Sequence, residues 1–164
     1  MALLEKYLKV KRSGIPGAGK GLFTKQLIKK GTRILEYKGR ITTWKDVLSG
    51  KNFNGYVYYI NRNYVIDAMR RKTAIARFAN DARGLNKTKG VSNNAEFVVE
   101  NKRVYICAKK KISEGEEILV SYGKEYWKEV VIYIKSLEVG SKVQKKASIK
   151  KPQVVAHKKV KKVL

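Results

Sequence analysis

The sequence predicts a mostly β domain of several small sheets, with short helices and one amphipathic helix near its C-terminal end. Short stretches that alternate apolar and polar residues recur along the chain, and glycine or asparagine separates them. A sustained helical period occurs in KEYWKEVVIYIKSL at residues 124–137, whose apolar stripe holds Trp127, Val130, Val131 and Ile134. The chain of 164 residues is 43% hydrophobic, which suffices for one core.

Short strands joined by turns are predicted over residues 7–67. Alternating side chains are typical of strands with one buried face, and glycine and asparagine supply the turns between them. In chain order the elements are a strand at 7–12, a glycine turn at 14–21, two short strands around Lys30-Gly31 within 22–40, one or two helical turns at 42–50, and a hairpin of Tyr56–Ile60 and Tyr64–Asp67 around Asn61-Arg62-Asn63.

The second half of the chain is predicted to add a helix, a hairpin and one further strand. TAIARFANDARG at residues 73–84 favours a short helix, because Ile75, Phe78 and Ala79 recur at helical spacing and Gly84 can end it. AEFVVENKRVYICAKKKI at 95–112 is the clearest hairpin, with its turn at Glu100-Asn101-Lys102. SEGEEILVSYG at 113–123 indicates another short strand.

The charge predicts a polyanionic partner. The net charge is +25, and it divides into +17 before Glu138 and +8 from Glu138 onward. After Leu137 the apolar pattern gives way to lysine pairs among small residues, which is typical of a disordered arm. Such an arm would bind nucleic acid without reading its sequence, and His157 within it is expected to be inert. A merely solvated extension is the alternative.

Several classes of protein are disfavoured by the composition. Cys107 is the only cysteine, so neither a disulfide framework nor a cysteine zinc cluster is expected within one chain, and no metal site is predicted. The first apolar stretch contains charges, unlike a signal peptide, and no run approaches the ~20 apolar residues of a membrane span. A soluble protein of a reducing compartment is expected.

Four blocks of sequence stand in an informative order, although each alone is weak. They are GAGKGLF (17–23) before ILEYKGR (34–40), YVIDA (64–68) before RFAND (77–81), NNAEF (93–97), and ISEGEEILVSYGKEYW (112–127). In this order and spacing the chain resembles the SET-domain family of protein-lysine methyltransferases over about residues 9–127. The resemblance implies the SET fold with its knot-like C-terminal threading. It divides the chain into a lead (1–8), the SET domain (9–127), a C-terminal helix (124–137) and a lysine-rich tail (138–164).

The resemblance also implies S-adenosyl-L-methionine as the methyl donor. In similar proteins the cofactor pocket uses backbone groups of a glycine turn, here Gly19, Lys20 and Gly21, because small residues permit close approach. Arg77 and Asn80 match residues that grip the cofactor's amino-acid end. Asp81 stands where the family usually has histidine, so cofactor affinity depends on whether that position acts through its backbone or its side chain. Trp127, or Tyr126 beside it, is placed to cover the adenine, and the alternative is that Trp127 only anchors the last helix.

The same resemblance implies a narrow lysine channel with aromatic walls, formed by Tyr37, Tyr56 and Tyr122. Tyr122 corresponds to the catalytic tyrosine next to the transferred methyl group, where it would orient the amine. No dedicated base is expected, because burial in the channel would itself favour loss of the lysine's proton. Val120 and Phe97 match positions that control the number of methyl groups. A phenylalanine leaves room for more than one, although both could simply be core residues.

The favoured substrates are histones or histone-like proteins held on DNA. Two alternatives remain: methylation of a non-histone protein or of the chain's own tail lysines, and a DNA-associated binding module in which the altered NDAR sequence at 80–83 has lost turnover. The chain lacks the cysteine-rich zinc segment of many members, as small viral or bacterial members do. A cytoplasmic or nucleoid-associated location is expected, or a host nucleus for a viral or bacterial effector.

Overall fold

In a computed structural model of the chain, the structure describes residues 3–50 and 54–142, with side chains up to residue 137. Strands dominate this part of the chain, which confirms the predicted mostly β fold. The strands are β1 (Leu8–Arg12), β2 (Lys20–Thr24), β3 (Arg33–Glu36), β4 (Arg40–Thr42), β5 (Val57–Asn61), β6 (Tyr64–Asp67), β7 (Ala95–Glu100) and β8 (Arg103–Ala108). The α-helices are α1 (Trp44–Ser49) and α2 (Lys124–Lys142), and 3₁₀ helices occur at Glu5–Tyr7 and Ile75–Phe78.

The strands form three small antiparallel sheets in the described part of the chain. β1 pairs with β2, the second sheet has the order β3-β8-β7, and the third has the order β4-β6-β5. One hydrophobic core joins the sheets. Its fully buried side chains include Leu22, Ile28, Ile34, Leu35, Val65, Val104, Ile106, Ile112, Ile118 and Val120.

Both predicted hairpins and the helix at 42–50 are confirmed. Strand β5 pairs with β6, and β7 pairs with β8. Asn101 (φ 48°) and Lys102 (φ 61°) adopt the left-handed conformation that a two-residue hairpin turn requires, so this turn is narrower than predicted. Helix α1 begins with a capping box between Thr43 and Asp46.

The predicted helix at residues 73–84 is wrong in type and length. The structure has a single 3₁₀ turn at Ile75–Phe78, after which Ala79 is extended. Asn80 then forms a parallel bridge with Leu119, and the backbone N–H of Val120 donates to the Asn80 carbonyl over 2.8 Å. This distant pairing ends the helix long before Gly84.

The predicted strand at residues 113–123 is also wrong, because this segment pairs with several partners and forms only isolated bridges. The Thr24 N–H donates to the Glu116 carbonyl (3.1 Å), and the Ile118 N–H donates to the Leu22 carbonyl (2.7 Å). At the next residue, the Ala95 N–H donates to the Leu119 carbonyl (2.9 Å). The segment thereby joins β2, the strand-like residues near 80 and the start of β7. The knot-like threading stays a prediction.

Helix α2 continues five residues beyond its predicted end at residue 137, to Lys142. Gly140 does not stop it, because a helical glycine costs only about 1 kcal/mol. Within the described side chains of α2 none is buried, and Ile134 of the predicted apolar stripe is exposed. Residues 143–164 of the predicted tail lie outside the described residues. None of the described helices combines the length and apolarity needed to cross a bilayer.

Candidate active site

Asn80 joins the glycine turn to the C-terminal part of the domain. Its side-chain amide donates to the Lys20 carbonyl over 2.9 Å and to Oε1 of Glu117 over 3.0 Å. Both amide hydrogens therefore have protein acceptors, and Oδ1 is the side-chain atom that can accept from a ligand. The predicted site residues Lys20 and Asn80 are thus in direct contact.

Glu117 holds the glycine turn from the other side, and the sequence analysis did not include it in the site. Its carboxylate accepts hydrogen bonds from the Ser13 hydroxyl (2.7 Å) and from the Gly14 N–H (2.8 Å). A Cβ atom at Gly21 would lie 2.1 Å from Oε1 of Glu117, so a larger residue here would displace the Glu117 carboxylate. Gly19 has φ +72°, and the space where its Cβ would lie is open. The turn is therefore closely packed against Glu117 on its Gly21 side and accessible at Gly19.

Tyr122 is held at both ends by the residues that flank Asn80. Its hydroxyl donates to the Ala79 carbonyl over 2.8 Å, and its backbone N–H donates to Oδ2 of Asp81 over 2.7 Å. Burial raises the pKa of the Tyr122 phenol well above 10, and the neighbouring phenol of Tyr126 adds to the rise. The phenol therefore stays protonated at neutral pH, where it can orient a ligand but cannot act as a phenolate base.

The three predicted channel tyrosines surround one region. Tyr37 is buried, burial raises its pKa, and the neighbouring phenols of Tyr126 and Tyr56 contribute to that rise. Tyr37 and Tyr56 in turn contribute to the raised pKa of Tyr122. Tyr56 is the most accessible of the three, with 37% of its surface exposed. The structure thus brings Tyr37, Tyr56 and Tyr122 together.

Two further tyrosines, Tyr58 and Tyr126, extend this aromatic cluster. The Tyr126 ring lies edge-on to Tyr122, with centroids 4.9 Å apart, and the Tyr58 ring lies 6.1 Å from that of Tyr37. Phe97 packs against both Tyr37 (5.8 Å) and Tyr58 (5.1 Å). Phe97 therefore borders the channel tyrosines. The sequence placed Tyr126 only near the adenine and left Tyr58 out, since one more strand tyrosine carries no distinguishing signal.

Val120 and Arg77 have mainly structural contacts. Val120 is fully buried in the hydrophobic core, as the alternative reading of this residue expects. The Arg77 guanidinium lies 5.1 Å from the centre of the Tyr56 ring and donates to the carbonyls of Met69 (2.7 Å) and Ala68 (3.2 Å). Arg77 thereby supports Tyr56, and its predicted contact with a cofactor stays a prediction.

Asp81 acts through its side chain, which the sequence left open. The residue is 4% exposed, and its carboxylate accepts four hydrogen bonds. Oδ1 accepts from the Arg83 N–H and from the Asn93 side chain, both at 2.8 Å. Oδ2 accepts from the Tyr122 N–H (2.7 Å) and from Nε1 of Trp127 (2.9 Å). One buried carboxylate thus connects the turn after Asn80 to Tyr122 and to helix α2.

Trp127 anchors helix α2 to this turn. Its indole stacks on the Tyr122 ring, with centroids 5.8 Å apart and planes 17° from parallel. A Cβ atom at Gly84 would come within 2.7 Å of the indole, so the glycine provides the space that the ring occupies. These contacts support the reading in which Trp127 anchors the helix. Its contact with an adenine stays a prediction.

No group of three or more histidine, cysteine, aspartate or glutamate side chains that could hold a metal ion occurs within the described residues. The polar groups of the site are instead one amide, two carboxylates, backbone groups and phenols. Such a set can bind an amine and orient it.

Comparison with known proteins shows to which family the sequence is similar. The sequence profile of the SET domain matches residues 19–123, which is more than half of the chain. The chain is 24% identical over 119 residues to the N-lysine methyltransferase KMT5A-A of Danio rerio, which covers 66% of this chain and 33% of that protein. It is 30% identical over 128 residues to the histone-lysine N-methyltransferase ASHH1 of Arabidopsis thaliana, and this alignment covers 74% of this chain and 25% of that protein. The chain thus spans about a quarter to a third of the length of these curated relatives.

Solved structures show the same fold. The methyltransferase domain of human PR domain-containing protein 2 superposes with a TM-score of 0.54 at 25% identity, covering 73% of this chain and 78% of that one. A chain of an active polycomb repressive complex 2 in its stimulated state gives a TM-score of 0.58 at 20% identity, and the match covers 73% of this chain and 15% of that one. The second likeness concerns the fold alone.

Replacement of Asp81 by asparagine is expected to loosen the contact between Tyr122 and Trp127. In asparagine an NH₂ group, which cannot accept hydrogen bonds, replaces one carboxylate oxygen. Some of the N–H donors around residue 81 would lose their acceptor, so the free energy of unfolding should fall by about 2 kcal/mol. In a Trp44→Phe background Trp127 is the only tryptophan, and its fluorescence emission should shift to the red. Urea unfolding measures both effects. Glu114→Gln, at an exposed carboxylate, is the control, and an unchanged Asp81→Asn midpoint would contradict the assigned role.

Alkaline pH is expected to weaken the aromatic cluster. Burial raises the pKa of Tyr58 to about 12, above the ordinary value of about 10. A raised folded-state pKa means that this stabilisation is fully present below pH ~10 and is lost as the pH rises toward ~12. The unfolding free energy of the wild type should therefore fall by about 2 kcal/mol relative to Tyr58→Phe over this range. A constant difference between the two proteins would exclude the effect.

Proposed function

The chain belongs to the SET-domain family, and on this premise we propose that it is a protein-lysine N-methyltransferase that uses S-adenosyl-L-methionine. The observation that carries the proposal is the junction at residues 79 and 80. There the Asn80 side chain donates a hydrogen bond to the Lys20 carbonyl of the glycine turn, and the Ala79 carbonyl accepts a hydrogen bond from the Tyr122 hydroxyl. A donor bound along the glycine turn and an amine among the phenols would meet at this junction, as an in-line displacement requires.

The residues of the glycine turn fit the proposed cofactor. The open space at Gly19 leaves the backbone of Gly19 and of the exposed Lys20 accessible, whereas Gly21 is buried. Oδ1 of Asn80 can accept a hydrogen bond from the cofactor's amino group. When bound, S-adenosyl-L-methionine would supply a methyl group on a positively charged sulfur. Asp81 would act indirectly, by holding Tyr122 and Trp127, and Arg77 by supporting Tyr56.

The phenols would prepare the substrate amine. A lysine ammonium has an ordinary pKa near 10.4 and is no nucleophile until it loses a proton. Transfer of the ammonium from water to the buried surroundings of Tyr37 and Tyr122 lowers its pKa, and the lost proton passes to solvent. The Tyr122 hydroxyl donates to Ala79, so its oxygen lone pairs can accept an N–H of the amine. Phe97, which has no hydroxyl, leaves room for more than one methyl group.

Histones or histone-like proteins bound to DNA are the proposed substrates. The net charge of +25 supports attachment of the enzyme to nucleic acid, where such proteins concentrate. The proposed location is the cytoplasm or a nucleoid, or a host nucleus for a viral or bacterial effector. The relative ASHH1 is a histone-lysine N-methyltransferase, which supports the same class of substrate. A non-histone protein or the chain's own tail lysines form the alternative substrates, and a binding module without turnover forms the alternative function.

Methyl transfer is tested with methyl-labelled S-adenosyl-L-methionine, a histone mixture and a cell extract, followed by identification of the labelled residues. Label on a histone lysine is expected. Tyr122→Phe should lower turnover at least ~10-fold, because the oriented hydroxyl is lost while the ring contacts remain. Thermal unfolding checks that this variant folds.

The matched control is Tyr7→Phe, at an exposed tyrosine on the lead of the domain. It should retain full turnover. Label on the enzyme alone would identify the tail as the substrate. Full activity of Tyr122→Phe would remove the proposed role of its hydroxyl, and the absence of any labelled lysine would favour the binding module.

A further inference from the structure

Six exposed lysines converge where the turn after β2 faces the segment after β8. Ile28 and Ile112 join the two segments through a pair of backbone hydrogen bonds of 2.8 and 2.9 Å. A second pair follows at Ala108, which accepts from Gly31 (2.8 Å) and donates to Thr32 (2.9 Å). This surface, called the lysine platform below, consists of Lys25, Lys29, Lys30, Lys109, Lys110 and Lys111.

The backbone under the platform is held rigidly. Ile28 and Ile112 are 1% and 0% exposed, so the ladder between the two segments is attached directly to the hydrophobic core. Paired chain segments lie about 5 Å apart, and each lysine stem reaches about that far beyond the backbone. The six lysines are thus carried by two paired segments whose backbone is fixed by the core.

The charges of the platform are not neutralised within the described part of the chain. The ion pairs found there are Arg33–Glu100, Lys38–Glu5 and Arg103–Glu36, and none involves a platform lysine. The acids that follow next in sequence are Glu114 and Glu116, and the Glu116 carboxylate is directed to the backbone N–H of Ser113. Lys110 donates to the Ser92 hydroxyl over 3.0 Å, which leaves its charge in place. Binding of an external anion would therefore reduce the mutual repulsion of the lysines.

We propose that the lysine platform binds the phosphate backbone of double-stranded DNA without reading its sequence. A duplex carries one negative charge per ~1.7 Å of its axis, and six exposed lysines without an ion pair in the described part of the chain attract such a polyanion. A lysine ammonium is a compact point charge on a flexible stem, which suits contacts with phosphates that carry no sequence information. Leu27 is its exposed apolar residue, which is little for a peptide to pack against.

This inference does not depend on methyl transfer. It assigns DNA binding to the folded domain in addition to the predicted tail, so that the site is held at a set distance from the duplex. Substrates attached to the same DNA would then be at a raised effective concentration.

The test measures binding of the full chain to a fluorescently labelled, random-sequence duplex over a series of salt concentrations. In the platform variant Lys29, Lys30, Lys109 and Lys111 become alanine. In the matched control four exposed basic residues elsewhere, Lys45, Arg62, Lys87 and Lys89, become alanine, so the net charge falls equally. Circular dichroism and thermal unfolding verify that both variants fold.

Each phosphate contact contributes about 0.9 to the slope of log affinity against log salt. The platform variant should therefore lose about 2 to 4 from this slope, and its affinity at ~0.1 M salt should fall at least ~10-fold below that of the control. Equal losses in the two variants would overturn the proposal, because binding would then follow net charge alone. Retained DNA affinity with lost binding to polyglutamate would also overturn it, and would assign the platform to an acidic protein.

Discussion

The structure depends on a segment that belongs to none of its sheets. Residues 116–120 form backbone hydrogen bonds with β2, with the residues around Asn80 and with the start of β7, while Ile118 and Val120 fill the core. Backbone groups buried in this way must find partners, and here the partners lie on segments far apart in sequence. The same pairing sets Glu117 against the glycine turn and Tyr122 against Asp81. The fold and the candidate site therefore share one set of hydrogen bonds.

Local elements were predictable from sequence, and elements completed by distant partners were not. The hairpin of β7 and β8 contains its own alternation and its own turn residues, so residues 95–108 suffice to specify it. Helix α1 likewise contains its own cap. Residues 73–84 have helical spacing, yet Asn80 pairs with Leu119, and that competing bond lies outside any local window. Residues 113–123 have the local pattern of a strand, but their hydrogen-bond partners change from residue to residue, so no regular strand forms.

The candidate site shows the same division. The order of the sequence blocks identified Tyr37, Tyr56, Tyr122 and Asn80, because the family resemblance contains their mutual arrangement. Asp81 departs from the family's usual histidine, and its four hydrogen bonds become visible only when Asn93, Tyr122 and Trp127 are brought around it. A glutamate within GEEI looks like any surface turn until Glu117 is seen against Ser13 and Gly14. Charge and pairing across the fold, rather than residue type, distinguish these side chains.

The hydrogen bond between Ser13 and Glu117 spans 104 residues, and this separation affects how the protein is made. During synthesis β1 and β2 leave the ribosome early, while the segment that completes the glycine turn emerges near the end of the domain. Strand β2 can pair at Leu22 only after Ile118 has been synthesised, because contacts between distant parts of a chain form late. A truncated or stalled chain would therefore have strands without a binding pocket. Premature termination before Glu117 would therefore leave an incompletely folded product, which proteases would degrade.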